Sequence, residues 1–317
     1  MGIEGQGWHE RGRGTDYGRL PAKAEGKVPE AVWNLGRHTA GFCLRFCTDA
    51  STLHVRWELA GEPLAMVHMP ATGVSGVDLY GLQEDRWRFL RIGPPGGMAN
   101  MAAFEGLPPA QEFLLYFPLY NGVRRLEIGL PAGAGLTRVR YAQEIKPLAF
   151  YGTSITQGGC ASRPGMAYTA IVGRALDLPV INLGFSGNGR MEPALAQLLA
   201  ELEASVYVLD AIANMDPAMV QERVAPFVLT LRAAHPQTPI LLAEDASPQE
   251  AIPTPKGRLL RRVYRSLLRE GVPGLHFLSG RGMRGRDGEA TVDGGHPTDL
   301  GMMRQAQVFI RALQRLV

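Results

Sequence analysis

Ser154 lies in the stretch YGTSITQGG (151–159), between short polar residues and a glycine pair, where an apolar run ends. Gly, Ser and Thr are common turn residues, so a plain turn would account for the stretch. The sharper reading is a nucleophile. The stretch does not fit the G-x-S-x-G elbow, so other segments must supply a base, an orienting acid and oxyanion donors. Three candidates lie downstream. FSGNGR (185–190) offers Gly187, whose N–H can approach a substrate because no side chain intervenes. AIANMD (211–216) offers the side-chain amide of Asn214, and TVDGGHPTDLG (291–301) offers His296 as base with Asp293 three residues before it. Asp293 can curl back to the imidazole and fix its tautomer. The N–H of Ser154, the N–H of Gly187 and the Asn214 amide would make a three-donor oxyanion hole. Singly, each has a plainer explanation: a turn at Gly187, an Asx-turn at Asn214, ordinary loop chemistry at Asp293. The other histidines, His9, His38, His54, His68, His235 and His276, have no acid at a suggestive spacing and read as surface or core residues.

The elements that must position these residues alternate in a recognisable rhythm from Pro147 onward. Short apolar runs at 148–152, 180–184, 206–210, 240–244 and 275–279 predict strands. Between them, helical patterns are expected near 165–177, 192–203, 217–234 and 254–270, and a last helix starts near Thr298, which caps it. Continuous apolar strands separated by helices predict a parallel sheet covered on both faces. In such sheets, sites form beyond the carboxyl ends of the strands, and every candidate above falls there. Residues 30–146 read instead as β structure. FCLRFCTDASTLHVRWEL alternates around a turn at 48–51, and several further short runs predict an antiparallel sandwich. Residues 92–110, rich in Gly and Pro, read as a loop. The boundary between the halves is expected around 144–148, giving domains of 1–146 and 147–317.

Taken together, YGTSITQGG, LGFSGNG, AIANM and DGGH resemble, in order, the four blocks of the SGNH or GDSL-type hydrolases. The resemblance spans about residues 147–317. It implies a three-layer α/β/α sandwich with Ser154 as nucleophile, Gly187 and Asn214 in the oxyanion hole, and Asp293 and His296 completing the triad. Thr153 stands where the common form has Asp, and Ala213 and Met215 flank Asn214 in place of the usual Gly and Asp. GVDLY (76–80) and FPLYNGVRRLEIG (117–129) resemble the N-terminal β-sandwich, jelly-roll-like, that carries a GxDLY motif in one group of these proteins. Read from the residues alone, Gly76 and Asp78 serve a turn before a strand.

Composition bounds the rest. The chain has 317 residues, 45% hydrophobic and 20% charged, with a net charge of +3. This is ordinary soluble composition. The basic cluster RLLRRVYR (258–265) has apolar residues at helical spacing and reads as a solvated helix face, so no nucleic-acid partner is expected. Cys43, Cys47 and Cys160 form no disulfide framework and show no metal-ligand spacing. Cys43 and Cys47, in one extended segment, would sit about 13 Å apart. No apolar leader or membrane-length run is seen, so a cytoplasmic protein without a membrane partner is expected. A homo-oligomer is compatible with all of this. The function expected is a serine esterase that removes short acyl groups, acetyl above all, from small-molecule or carbohydrate esters, needing no metal or organic cofactor. The alternatives are an acyltransferase using the same residues and a non-catalytic binding protein on the hydrolase fold.

Overall fold

The computed structural model describes residues 2–8, 17–108, 111–142, 144–246 and 252–317. His9 therefore lies outside the described residues. In chain order the elements are α1 (Glu30–Leu35), β1 (Cys43–Thr48), β2 (Thr52–Leu59), α2 (Ala71–Val74), β3 (Val77–Gln83), β4 (Arg86–Gly93), β5 (Ala99–Glu105), β6 (Gln111–Tyr116), β7 (Val123–Gly129) and β8 (Leu136–Arg138). These are followed by β9 (Leu148–Gly152), α3 (Ser154–Gln157), α4 (Tyr168–Leu176), β10 (Val180–Gly184), α5 (Pro193–Leu199) and β11 (Val206–Asp210). The last are α6 (Pro217–Ala234), β12 (Ile240–Ala243), α7 (Pro255–Arg269), β13 (Leu275–Leu278) and α8 (Asp299–Leu313).

The first half builds two antiparallel sheets, in strand orders β4-β3-β6-β1-β8 and β5-β2-β7. In β2, Leu53, Val55, Trp57 and Leu59 point inward while Thr52, His54, Arg56 and Glu58 alternate outward. This period of two is what a half-buried strand requires. The turn at 49–51 does not close a hairpin, because it carries the chain from one sheet to the other. Phe42, Phe46, Val55, Trp57, Leu79 and Phe113 fill the space between the sheets. Two expectations are corrected here. Residues 99–105, read as loop, form β5, which pairs with β2 over its whole length; Ala99, Met101 and Ala103 interleave with Asn100 and Ala102, and the small side chains hid the alternation. Residues 30–35, read as β, form α1.

The second half is a parallel sheet in the order β10-β9-β11-β12-β13 with helices on both faces. Counted from β9, this is a 2-1-3-4-5 arrangement, whose switch point lies at the first strand. Gly152, Gly184 and Asp210 occupy one row at the carboxyl ends. One face, with Leu148, Phe150, Val206 and Val208, packs on α4 and α8 and then on the outer face of the five-stranded antiparallel sheet through Tyr80, Leu114 and Tyr116. The opposite face, with Tyr151, Leu183, Tyr207 and Leu242, packs on α5, α6 and α7.

Residues 20–32 cross to that opposite face. Leu20, Ala24, Val28 and Val32 belong to the same buried cluster as α5 and α6. Leu20, Val28 and Val32 each contribute about 1.5–3 kcal/mol by leaving water. Arg19, 2% exposed, secures this strap. Its guanidinium donates to the carbonyls of Asn182 (3.1 Å) and Gly184 (2.7 Å) in β10 and to those of His38 and Leu35. Burial lowers its pKa to about 9.

Candidate active site

Ser154 lies just beyond the end of β9 at the switch point, with Thr153 between, and opens α3. Thr153 caps that turn: its hydroxyl accepts from the Ile155 N–H (3.3 Å). The Ser154 carbonyl is anchored by the N–H groups of Gly158 (3.1 Å) and Gly159 (2.7 Å) and by the hydroxyl of Tyr120 (3.0 Å). Tyr120 belongs to FPLYNG of the first half, so the sandwich braces the serine turn.

His296 lies on the loop before α8. Its Nε2 is 2.8 Å from Ser154 Oγ, and its Nδ1 is 2.8 Å from Asp293 Oδ2. Asp293 curls back as its spacing allows, with Oδ1 accepting from the N–H groups of His296 (2.8 Å) and Gly295 (3.0 Å). Burial works to raise the Asp293 carboxyl, but those hydrogen bonds prevail and hold it down at about 2. It is therefore an anion throughout the neutral range. Thr298 caps α8 through the Gly301 N–H (3.3 Å), as its position suggested. Asp299 accepts from the Ser162 N–H (2.9 Å), which ties this helix to the segment beyond Ser154.

The loop after β10 brings two glycines into left-handed backbone, Gly187 at φ +67° and Gly189 at φ +69°. They differ in surroundings. A Cβ on Gly187 would meet nothing within 4 Å, whereas one on Gly189 would sit 2.0 Å from the Gly152 carbonyl oxygen. Gly187 thus faces open space while Gly189 is the point where this loop rests on β9. Gln157 holds the loop from the other side: its Oε1 accepts from the Ser186 N–H (3.0 Å), and its Nε2 donates to Leu119 O (3.1 Å) and lies 3.1 Å from His38 Nδ1. Burial, then the Arg19 charge, lower His38 to about 4, so it is neutral. Asn214 ends the short turn after β11 and donates through Nδ2 to Asn188 O (2.6 Å). An amide nitrogen carries two protons, so one remains to donate elsewhere.

One histidine set aside in the sequence belongs here. His68 sits on the turn closed by Met66 and Met69, which exchange backbone hydrogen bonds (2.9 and 3.1 Å). Its ring lies edge-on to His296 with centroids 5.4 Å apart. Cys160 is beside both; burial first, and then the Asp293 charge, push its thiol up to about 12, so it is neutral and a poor nucleophile. No motif or spacing marks His68, because a turn of the other half delivers it. Asp78 is corrected as well. It lies within β3, not in a turn, fully buried, and accepts from Arg163 (2.9 Å) and from the Gly165 N–H. The GxDLY aspartate fastens the sandwich to the segment that follows the serine turn. A cleft lined by Glu4, Cys43, Tyr116, Arg174 and Val180 also opens between the halves. It lies at the amino ends of the parallel strands, away from Ser154.

A serine, an imidazole and a carboxylate in this order, on loops of one sheet end, can perform acyl transfer. The model of the GDSL-like lipase/acylhydrolase family matches residues 145–314, and that of the N-terminus of SGNH-hydrolase-type esterases matches residues 1–136. The chain belongs to the GDSL-like lipase/acylhydrolase family. It is thereby a carboxylic-ester hydrolase of the SGNH type, with the GxDLY sandwich in front. A crystal structure from Bacteroides ovatus, described as a GDSL-like lipase, is 30% identical over 99% of this chain and 95% of its own, with a TM-score of 0.89. The salicylyl-acyltransferase SsfX3 of a tetracycline biosynthetic pathway shares the fold at 23% identity over 99% and 94%, with a TM-score of 0.80. A family two carbohydrate esterase of Clostridium thermocellum, in complex with cellohexaose, does so at 14% over 86% and 91%, with a TM-score of 0.62. Among curated proteins none matches the sequence. No helix among the described residues is long and apolar enough to cross a membrane.

Proposed function

We propose that this GDSL-like hydrolase removes short acyl groups, acetyl first, from carbohydrate esters through an acyl-enzyme on Ser154. The observation that carries the reading is the chain from Ser154 Oγ to His296 Nε2 and from Nδ1 to Asp293, with 2.8 Å at both links. Ser154 Oγ attacks the ester carbonyl as its proton passes to Nε2. Asp293, fixed as an anion, holds the Nδ1 proton and stabilises the imidazolium. The N–H groups of Ser154 and Gly187 and the second amide proton of Asn214 take the oxyanion. Collapse breaks the bond to the alcohol, which leaves with the proton from Nε2. Water then gives a proton to Nε2, attacks the acyl group and frees the acid, and Ser154 recovers its proton.

The sugar is supported by the fold shared with a carbohydrate esterase that holds cellohexaose. The free thiols of Cys43, Cys47 and Cys160 suit a reducing compartment, which we take to be the cytoplasm. We also take 1–146 and 147–317 as the two domains, the first lending the strap and the His68 turn to the second. The test is a panel of aryl acetate, butyrate and octanoate beside acetylated oligosaccharides, with and without an added alcohol. Acetyl release from the sugar at the highest kcat/KM is expected. Preference for octanoate would refute the short acyl pocket, and transfer to the alcohol in excess of hydrolysis would favour the acyltransferase, as in SsfX3.

A further inference from the structure

We propose that His68, Cys160 and His296 form a binding site for a soft divalent cation such as Zn2+, and that its occupation switches the hydrolase off. One ligand atom from each lies within 4.8 Å of the others. The donors come from three separate places: a turn of the sandwich, the segment after α3 and the loop before α8. The set exists only because the two halves are docked.

The donor chemistry selects the metal. Two imidazoles and a thiolate suit Zn2+ or Co2+ and offer nothing to Mg2+ or Ca2+, which take oxygen. A tetrahedral ion with bonds of about 2.0–2.3 Å places its ligands about 3.5 Å apart. The donors must therefore close by at most about 1.3 Å. His68 is the one free to make that movement, because it sits at a turn tip beside the fully exposed Val67. The outer shell is already in place. Asp293 occupies His296 Nδ1, leaving Nε2 as the ligand nitrogen. A carboxylate on the far nitrogen of a metal-bound imidazole orients the ring and raises its basicity.

The inhibition follows from that geometry and rests on the reading of His296 as the base. Nε2 is the atom that faces Ser154 Oγ at 2.8 Å. Its lone pair cannot serve both the metal and the serine proton. On binding, the two imidazoles give lone pairs, the Cys160 thiol releases its proton to water, and the Oγ–Nε2 hydrogen bond is lost. Nothing is oxidised or reduced. The fourth position is open to Ser154 Oγ or water.

The full-length protein is stripped with chelator and titrated with Co2+, reading the thiolate-to-cobalt absorption in the near ultraviolet, and in parallel with Zn2+, reading aryl acetate turnover. We expect one equivalent to bind with the thiolate band, turnover to fall in proportion, chelator to restore it, and Mg2+ to do nothing. Cys160→Ser is expected to turn over ester at the wild-type rate, lose the band and resist Zn2+. His68→Gln should weaken Co2+ binding at least by the about 10–100-fold that loss of an outer-shell partner costs. It carries the test if the buried Cys160→Ser protein melts early by circular dichroism. Absence of stoichiometric binding, or binding that neither substitution alters, overturns the site. Binding that needs Cys160 and His68 yet leaves turnover intact keeps the metal site and sinks His296 as the base.

Discussion

Gly187 and Gly189 make a paired experiment, because they share a backbone conformation and differ only in what surrounds them. At φ +67° and +69°, alanine at either pays the left-handed penalty, about 1–2 kcal/mol. At Gly187 the methyl meets open space, so that penalty is the whole cost to stability. At Gly189 the methyl starts 2.0 Å from the Gly152 carbonyl oxygen, more than an ångström inside an ordinary contact. The Gly152 oxygen is a backbone atom of the central row and cannot swing aside as a side chain could. Relieving such an overlap in packed structure costs a further 1–3 kcal/mol or so, for a total of about 2–5 kcal/mol. The displaced carbonyl is two residues before Ser154, and a shift near 1 Å at a reacting group costs about 100-fold in rate. Urea unfolding, with m-values compared to confirm a common mechanism, should rank wild type above Gly187→Ala above Gly189→Ala. Single-turnover acylation by an aryl acetate should show Gly189→Ala slowed by about two orders of magnitude. Equal losses of stability in the two variants, or a wild-type acylation rate in Gly189→Ala, would refute the claim that this loop sets the serine by resting on β9.

The other predictions follow the same geometry. Ser154→Ala should fold as wild type does and lose aryl acetate turnover by several orders of magnitude; near-normal turnover would remove Ser154 from the mechanism. Asn214→Ala should lower kcat by roughly 10²–10³ with KM little changed, and a change confined to KM would mean that the amide binds the ground state. Burial, offset in part by Tyr168, raises Asp210 to about 6. The unfolded chain therefore loses that proton first, and wild-type stability falls as pH rises from about 4 to about 6 and stays lower above. Asp210→Asn, which can still accept from Tyr168, should gain on wild type across that window by on the order of 2–3 kcal/mol; parallel stability–pH curves would contradict this. Residues 147–317 alone lose the Arg19 clamp, the strap of residues 20–32 packed with α5 and α6, and the sandwich face packed with α4 and α8, so they should aggregate or lose most activity, and a soluble monomer with full kcat/KM would count against the docked arrangement.

What was legible in the sequence was what one segment encodes by itself. The five parallel strands stood out because strands buried on both faces are unbroken apolar runs, and α6 matched at both ends because Asp216 and Pro217 mark its start. The pairing of Asp293 with His296 was legible because three residues of loop suffice to bring them together. What escaped was set by distant partners. β5 is mostly small residues whose strand conformation comes from β2, and the strap over residues 20–32 is held by β10 and α5. His68 and Gln157 have ordinary neighbours in sequence, and only the packing of the halves puts one beside His296 and the other under the Gly187 loop.

The Arg19 strap has a consequence for the chain as it is being made. Its carbonyl partner at Gly184 is synthesised 165 residues later. At about 5–20 residues per second, that leaves the guanidinium and the apolar residues behind it waiting roughly 10–30 s. Leu20, Val28 and Val32 cannot be buried until β10 and α5 have left the ribosome. The nascent enzyme thus carries a greasy, charged strap that must wait for segments made much later to cover it. Damage to that clamp falls first on how many chains finish folding, and only afterwards on how fast the finished ones work.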